Sequence, residues 1–558
     1  MSDVLQPDAT VLQQVSASAL TSLLDKINGP KTLVLCAPLA GPLGLVTDVA
    51  WLKNNNGVTK LFWLEPGPLT QAERNIVYLC TPQVKWMHII ADQIKSAPNG
   101  AMHNYHLLVT PRMNPLCQEA LSNAGVLGSI DVQEYQMGLI PIDKDVLSLE
   151  QDHTLRSIAL DRDFTPVHDM ARSIMTIQKA FGAIPRIVGK GDCARRLVNA
   201  LRRLANEEES PQTPVVPFHD GMIDSMIVLD RTVDLVTPLC TQLTYEGLID
   251  EVIGIKNSHI DVDPSLVNPP PAASTSSPSS THAAGQASKK KKHLLSAKDN
   301  LFAELRDRNF AVVGSILNKT ARRLNDDYEK RHSAKTPAEL HLVAGVELNA
   351  QAAAIREFIT QEAPLRVVLR LLSLYSLVTG GLKPKVLEEF KRDILQTYGY
   401  QHLTLLVGMQ DLGLLSSNFG AKSAFAQSRK PLRLIVDDVD EQSPKDASYV
   451  FSGYAPLSIR LVQCALGKNL AHLERGSPGA AMNGWRGIED VLGLMPGETF
   501  EELQPVPHSL EGSSPVRVPT TAICFLGGVT FAEIAALRFL SRQSPRRSSL
   551  YTGFIYAE

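Results

Sequence analysis

From Lys31 onward, short apolar runs alternate with stretches of helical periodicity. "TLVLCAP" (Thr32–Pro38), "VTKLFWLEP" (Val58–Pro66), "NIVYLCTP" (Asn75–Pro82) and "NYHLLVTP" (Asn104–Pro111) are apolar and partly β-branched. Each closes on a proline, which cannot continue a central ladder, so each reads as a strand. Gly44–Asn54, Val84–Ile94 and Asn114–Gly125 place apolar residues at helical spacing, and Gly125 stands where a helix C-cap falls. Alternation of this kind predicts a mostly parallel sheet with helices on both faces. This first α/β domain closes near Pro141.

A second α/β pattern follows. Pro166–Ile184 has helical spacing, Arg186–Leu204 reads as a turn and a basic-faced helix, and Met226–Leu229 reads as a buried strand. Far downstream, Thr520–Arg542 is again strand, glycine turn and helix, with Thr530 and Glu533 at capping-box spacing. It is expected to join the second sheet, which makes that domain discontinuous. Between the two parts, residues 264–293 are dominated by Pro, Ser and Ala, offer almost nothing to bury, and are expected to be a disordered loop. Helical spacing then covers Ala297–Asp327, Ala338–Thr360, Leu365–Leu377 and Lys385–Gln396. The expected domains are residues 1–141, residues 142–252 with 481–558, and a mostly helical insertion at 253–480.

Composition narrows the function classes. The 558 residues are 44% hydrophobic and 20% charged, a folded composition long enough for roughly three to five domain-sized units. A formal charge of −3 supplies no basic field for nucleic acid. Seven scattered cysteines form no C-x-x-C pair, which argues against a disulfide framework or zinc ribbon. The N-terminus lacks the pattern of a signal peptide. Arg366 and Arg370 interrupt the most apolar stretch, Pro364–Leu382, short of the ~18 uncharged residues a membrane span needs. The expectation is a soluble, cytoplasmic chain that meets membranes only through partners.

Candidate chemistry is sparse. Asp230, Arg231 and Asp234 stand together where the strand of Met226–Leu229 ends. Two carboxylates there could do acid–base work or hold Mg²⁺. The residues that follow, Leu235 to Leu239, are almost all apolar, which favours an arginine pinned between carboxylates as a structural knot. "GKGD" (Gly189–Asp192) misses the G-x-x-x-x-G-K-[ST] pattern and reads as a turn. "FLGGVT" (Phe525–Thr530) lacks G-x-S-x-G, and "VDDVDEQ" (Val436–Gln442) lacks an EF-hand's glycine. "KKKK" (Lys289–Lys292) reads as solubilising, and His88, His103 and His106 lack an acidic partner within sequence reach. No catalytic, cofactor or metal site is expected. An α/β hydrolase or nucleotide-binding enzyme stays as the competing class, and it would rest on Asp230, Asp234 and Gly189–Asp192.

The stretch that continues from the strand of Met226–Leu229 is also distinctive in motif. "LDRTVDLVTPLCTQLTYEGLIDE" (Leu229–Glu251) closely resembles the signature of the SM (Sec/Munc) family, whose members bind SNAREs in membrane fusion. "ILQTYGYQHLTLL" (Ile394–Leu406), "LRLIVDDVDEQSPKDASYVFSGYAPLSIRLVQ" (Leu432–Gln463) and "FLGGVTFAEIAALRFL" (Phe525–Leu540) resemble its vacuolar-sorting branch, which supplies the SM subunit of the HOPS and CORVET tethering complexes. The resemblance runs from about Leu33 to Leu540. It implies an α/β fold arranged as a three-domain arch and a non-enzymatic chaperone of SNARE assembly, recruited to vacuolar and late endosomal membranes. A scaffold that has lost SNARE binding is the alternative within the same family.

Binding residues follow from that resemblance. The segment from Ala297 carries an apolar stripe of Leu301, Leu305, Phe310, Val313 and Ile316 with Arg306, Arg308, Arg322 and Arg323 at its rims. It matches the family's SNARE-facing helices, and helix-in-groove recognition suits an amphipathic partner. Lys60 and Leu61 match the facing wall in the first domain. The loop Ser416–Lys430, with Phe419, Phe425 and Lys430, matches the region that meets a helical-repeat tethering subunit. Two departures stand out: the region between Lys335 and Ala363 is short for the family, and the chain diverges after Arg542.

Overall fold

The computed structural model describes residues 9–70, 72–97, 103–151, 153–208, 221–262, 291–296, 298–316, 336–346, 348–417, 423–467, 484–504, 519–543 and 550–554. The chain divides into two compact units. The first holds residues 1–233, 496–529 and 544–558, and the second holds 234–495 and 530–543.

The first unit contains two sheets. Strands β1 (Lys31–Leu35), β2 (Val58–Trp63), β3 (Asn75–Cys80), β4 (Asn104–Val109) and β5 (Ile130–Glu134) form a parallel sheet in the order β2-β1-β3-β4-β5. All six residues of β3 are buried, as a strand covered on both faces requires. Leu33, Val77, Tyr78 and Leu107 share one core with Met87 and Ile90 of the helix Val84–Lys95. The helical stretch expected at Gly44–Asn54 is two helices, Ala40–Val46 and Val49–Asn56. Extended Asp48 separates them and accepts the Ala50 amide as an N-cap.

The second sheet adds β6 (Ile140–Asp143), β7 (Val146–Ser148), β8 (Arg186–Lys190), β9 (Ser225–Asp230), β12 (Thr499–Leu503), β13 (Thr521–Leu526) and β14 (Leu550–Phe554), in the order β12-β8-β9-β13-β14-β7-β6. Strand β13, some three hundred positions downstream, lies parallel to β9, with Ile523 opposite Ile227. Residues 186–190, expected as a turn, are a strand, because Gly189 lets the Phe500 ring of β12 lie on it: a Cβ there would stand 2.1 Å from that ring. The sequence-divergent run after Arg542 still supplies a strand, β14, parallel to β13.

The second unit is mostly helical. A two-stranded ladder pairs β10 (His259–Val262) with β11 (Lys291–Leu294), so residues 291–293, expected in a disordered loop, are strand. Residues 264–290 of that loop, with Lys289 and Lys290, lie outside the described residues. The stretch expected as one helix from Ala297 breaks into Asn300–Leu305 and Phe310–Ile316. Thr336–Ala344, Leu348–Thr360, Leu365–Thr379 and Pro384–Tyr398 follow. Residues 234–252 and 530–543 pack with this unit rather than with the second sheet, so the boundaries differ from those expected. The reason is side-chain packing: Phe539 of the helix Phe531–Arg542 meets Tyr449 at 5.3 Å between ring centroids. Thr530 and Glu533 form the expected capping box at the start of that helix.

Candidate partner-binding surfaces

The two carboxylates flanking Arg231 are consumed by the backbone. Asp230, 5% exposed at the end of β9, accepts the Cys193 amide at 3.0 Å and the Thr232 amide at 3.1 Å. The Cys193 amide lies in the first turn of the helix Asp192–Glu208, so Asp230 supplies the negative charge that the positive end of a helix favours. The turn of "GKGD" is thereby closed to phosphate. Gly191 has φ +116°, and a Cβ there would stand 2.1 Å from the Asp230 Cβ.

Arg231 is 3% exposed and donates to the Gly528 carbonyl at 3.3 Å, with its guanidinium 5.7 Å from the Phe525 ring centroid. A Cβ at Gly527 would stand 2.9 Å from the Arg231 Cβ, and Gly527 and Gly528 have φ +98° and +103°, which together account for the glycine pair of "FLGGVT". Asp234, in the second unit, is 3% exposed. It accepts the Thr237 amide at 3.0 Å, the Thr237 hydroxyl at 2.6 Å and the Ser458 amide at 2.9 Å. Carboxylates saturated by such donors hold backbone in place and have little left for proton transfer or metal. Among the described residues, no group of three or more His, Cys, Asp or Glu could hold a metal ion.

The residues expected to bind SNAREs divide sharply. Lys60 and Leu61 sit on β2, an edge strand. Lys60 is half-exposed and pairs with Glu73 at 3.4 Å, while Leu61 is partly buried against the first core. Arg306 and Phe310, expected at a polar rim and an outward stripe, are buried. Phe310 packs with Leu248, Leu305 and Val313 and stacks on Tyr245, with rings 3° from parallel and centroids 6.3 Å apart. Of the stripe, Leu301 alone among the described side chains is exposed. Arg322 and Arg323 lie outside the described residues.

The break between the two helices causes this inward turn. Asn309 donates to the Tyr449 carbonyl at 2.7 Å and to Ser452 Oγ at 3.1 Å, and accepts the Ala311 amide at 3.0 Å. The Tyr245 and Glu246 amides donate to the Arg308 and Arg306 carbonyls. These bonds satisfy the main chain where the helical ladder is interrupted.

The expected tether-binding loop also turns inward. Phe425 is 6% exposed, within a short helix Ala424–Arg429, with its ring 6.1 Å from that of Tyr454. It is therefore core and not an exposed anchor. Lys430 is exposed, and Phe419 lies outside the described residues. A run of exposed apolar residues stands nearby in sequence instead. Tyr400 is 72% exposed, and Leu403, Leu405 and Val407 of the helix Leu403–Asp411 are 50%, 45% and 48% exposed, while Leu406 and Met409 face inward. The sequence carried this signal: Leu403, Leu405 and Val407 put apolar residues on this helix beyond the one face that Leu406 and Met409 bury.

His106 has an acidic neighbour after all. Parallel pairing sets Asp131 of β5 opposite it, with Nδ1 and Oδ2 3.3 Å apart. No described helix is long and apolar enough to cross a membrane.

The Sec1 family model matches residues 31–345 and 338–556. The chain is 38% identical over 580 residues to the vacuolar protein sorting-associated protein 33A of Rattus norvegicus, covering 95% of this chain and 93% of the relative. It is 32% identical over 583 residues to the vacuolar protein-sorting-associated protein 33 homolog of Arabidopsis thaliana, covering 95% and 92%. Among solved structures, the Unc18–syntaxin 1 complex from Monosiga brevicollis matches with a TM-score of 0.53 at 15% identity, over 98% of this chain and 97% of that one. A complex of the SM protein Vps45 with the Qa SNARE Tlg2 matches with a TM-score of 0.51 at 15% identity, over 98% and 95%. With one parallel sheet, one mixed sheet, a helical unit and a family match across nearly its whole length, this chain is a member of the Sec1 family of SM proteins.

Proposed function

We propose that this chain is a non-enzymatic SNARE-binding protein that promotes SNARE assembly for vacuolar and endolysosomal fusion, as the SM subunit of a HOPS- or CORVET-type tether. The observation that carries the reading is its identity, over nearly full length, with proteins named for vacuolar sorting. Solved members of the same fold were captured with syntaxin 1 and with a Qa SNARE. The enzyme reading loses its basis because Asp230 and Asp234 are both saturated by backbone amides. In this reading Asp230, Arg231 and Asp234 are structural residues, Asp230 and Arg231 fixing backbone within the first unit and Asp234 within the second. The two sheets and the helical insertion correspond to the three domains of the family, and the protein is cytoplasmic until the tether recruits it.

SNARE contact is assigned to Lys60 and Leu61 on the β2 edge and to Arg308 beside the helix break. The tethering subunit is assigned to the exposed apolar surface of Tyr400, Leu403, Leu405 and Val407. A bare surface of this kind is where a helical partner gains most by excluding water.

The test is a pull-down of purified chain with vacuolar SNARE motifs and, separately, with the helical tethering subunit. Binding to both is expected. Binding to the tether alone would replace the chaperone with a scaffold, and the short region between Lys335 and Ala363 would then be the first place to look. Tyr400→Asp is expected to abolish tether capture with an unchanged melting temperature. Full capture by that variant would remove the docking assignment.

A further inference from the structure

We propose that the cleft beside Arg308 is an anion anchor that takes an acidic side chain of a bound SNARE helix, an inference that rests on the SNARE-binding reading above. The cleft has a volume of about 300 Å³ and is lined by Asp307, Arg308, Glu441, Tyr449, Phe539 and Arg542, with Pro444 and Gln543 at its edge. All of these belong to the second unit.

The charges lining it are not equivalent. Asp307 is held by Arg538 at 3.1 Å and by Arg542 at 2.9 Å, and its carbonyl accepts the Tyr449 hydroxyl at 2.9 Å. Glu441 accepts the Ser452 hydroxyl. Arg308 makes no side-chain hydrogen bond or ion pair within the described residues. Its main chain is nonetheless fixed on both sides: its amide donates to the Leu305 carbonyl at 2.9 Å and its carbonyl accepts the Tyr245 amide at 3.0 Å. A half-buried guanidinium on a rigid backbone has already lost part of its hydration. It gains most from an incoming anion that can accept two parallel N–H bonds.

The surroundings select the kind of anion. The Tyr449 and Phe539 rings, 5.3 Å apart, give the cleft an apolar wall that suits the carbon stem of a side chain and an apolar neighbour. Asp307 and Glu441 oppose a multiply charged group such as free phosphate, whereas a single carboxylate sits on Arg308 at lower cost. An Asp or Glu on an amphipathic helix meets both conditions.

The experiment measures the affinity of the full chain for a purified Qa-SNARE motif, with Arg308→Glu, Arg308→Gln and a set of motif variants in which each acidic residue becomes Lys. Arg308→Glu is expected to weaken binding about tenfold to a hundredfold, and Arg308→Gln less, in line with loss of a charged hydrogen bond. One acid-to-lysine motif is expected to lose affinity for the native chain and regain it with Arg308→Glu. Equal affinity of native and Arg308→Glu chains would overturn the proposal. So would a loss that no motif variant rescues, or competition by millimolar inorganic phosphate. If the native chain binds no SNARE motif at all, the underlying reading fails, and the inference falls with it. Melting curves of each variant separate loss of binding from loss of folding.

Discussion

Removing the carboxylate of Asp446 tests a buried bidentate clamp in the second unit. Arg460 is fully buried. Its two terminal nitrogens meet Asp446 Oδ2 and Oδ1, each at 2.9 Å, in a bidentate pair. The guanidinium also donates to the Arg433 carbonyl at 2.9 Å and to Gln463 Oε1 at 2.8 Å. Asp446 in turn accepts the Ser448 amide at 3.0 Å and caps the turn at Ala447–Phe451. Burial by itself would raise the Asp446 pKa. The charge of Arg460 and the bonds from Arg460 and Ser448 outweigh it and hold the carboxyl below its ordinary value.

Asp446→Asn strands a buried cation, which costs about 3–5 kcal/mol. At roughly 2–4 °C per kcal/mol for a domain of a few hundred residues, the melting transition should fall by about 10 °C at pH 7. The sign with pH follows from linkage. A depressed carboxylate contributes stability that is complete above its unfolded value, about 3.9. That contribution is lost as pH falls through the lower folded value. The gap between native and variant melting temperatures should therefore be constant from pH 7 to about 5 and narrow below about 4. Thermal melts followed by circular dichroism across that range check it. A variant that melts with the native chain at pH 7, or a gap that widens in acid, would refute the reasoning.

Three further outcomes follow from the same structure. Asp230→Asn turns an acceptor of the Cys193 or Thr232 amide into a donor facing a donor, and should cost about 2–3 kcal/mol in denaturant unfolding without selective loss of partner binding. Phe425→Asp should lower the melting temperature of the isolated chain, by at least about 3 kcal/mol of stability, because the ring is core; an unchanged melt would restore it as a surface anchor. Burial raises the Cys524 thiol to about 12 and the Cys464 thiol to about 11, so alkylation at pH 8 should be slow in the native chain and fast in urea, as timed by mass spectrometry.

How much of this was legible in the sequence depended on the range of the interactions. The strands β1 to β4 could be read because each is a short apolar run between breakers, a local property. The capping box at Thr530 and Glu533 was equally plain, since both partners lie within one helical turn. The break at Arg306–Asn309 was not, because it is made by Asn309 reaching Tyr449 and Ser452, more than a hundred positions away. Phe310 and Phe425 were misplaced for a related reason. Periodicity shows that a stripe exists but not which element covers it, and here Tyr245 and Tyr454 do.

By itself the sequence determined the α/β alternation, the inserted helical segment and the family motifs. These rest on local hydrophobic spacing and on runs of particular residue types, both contained in short windows of the chain. Only the tertiary structure decided that β13 lies beside β9, that Asp230 caps a helix beginning at Asp192, and that Arg308 stands in an open cleft while Arg306 is buried. Each of these is a contact between residues distant along the chain. Such contacts are set by how whole elements pack to exclude water and satisfy buried polar groups, and no window of neighbouring residues contains that information.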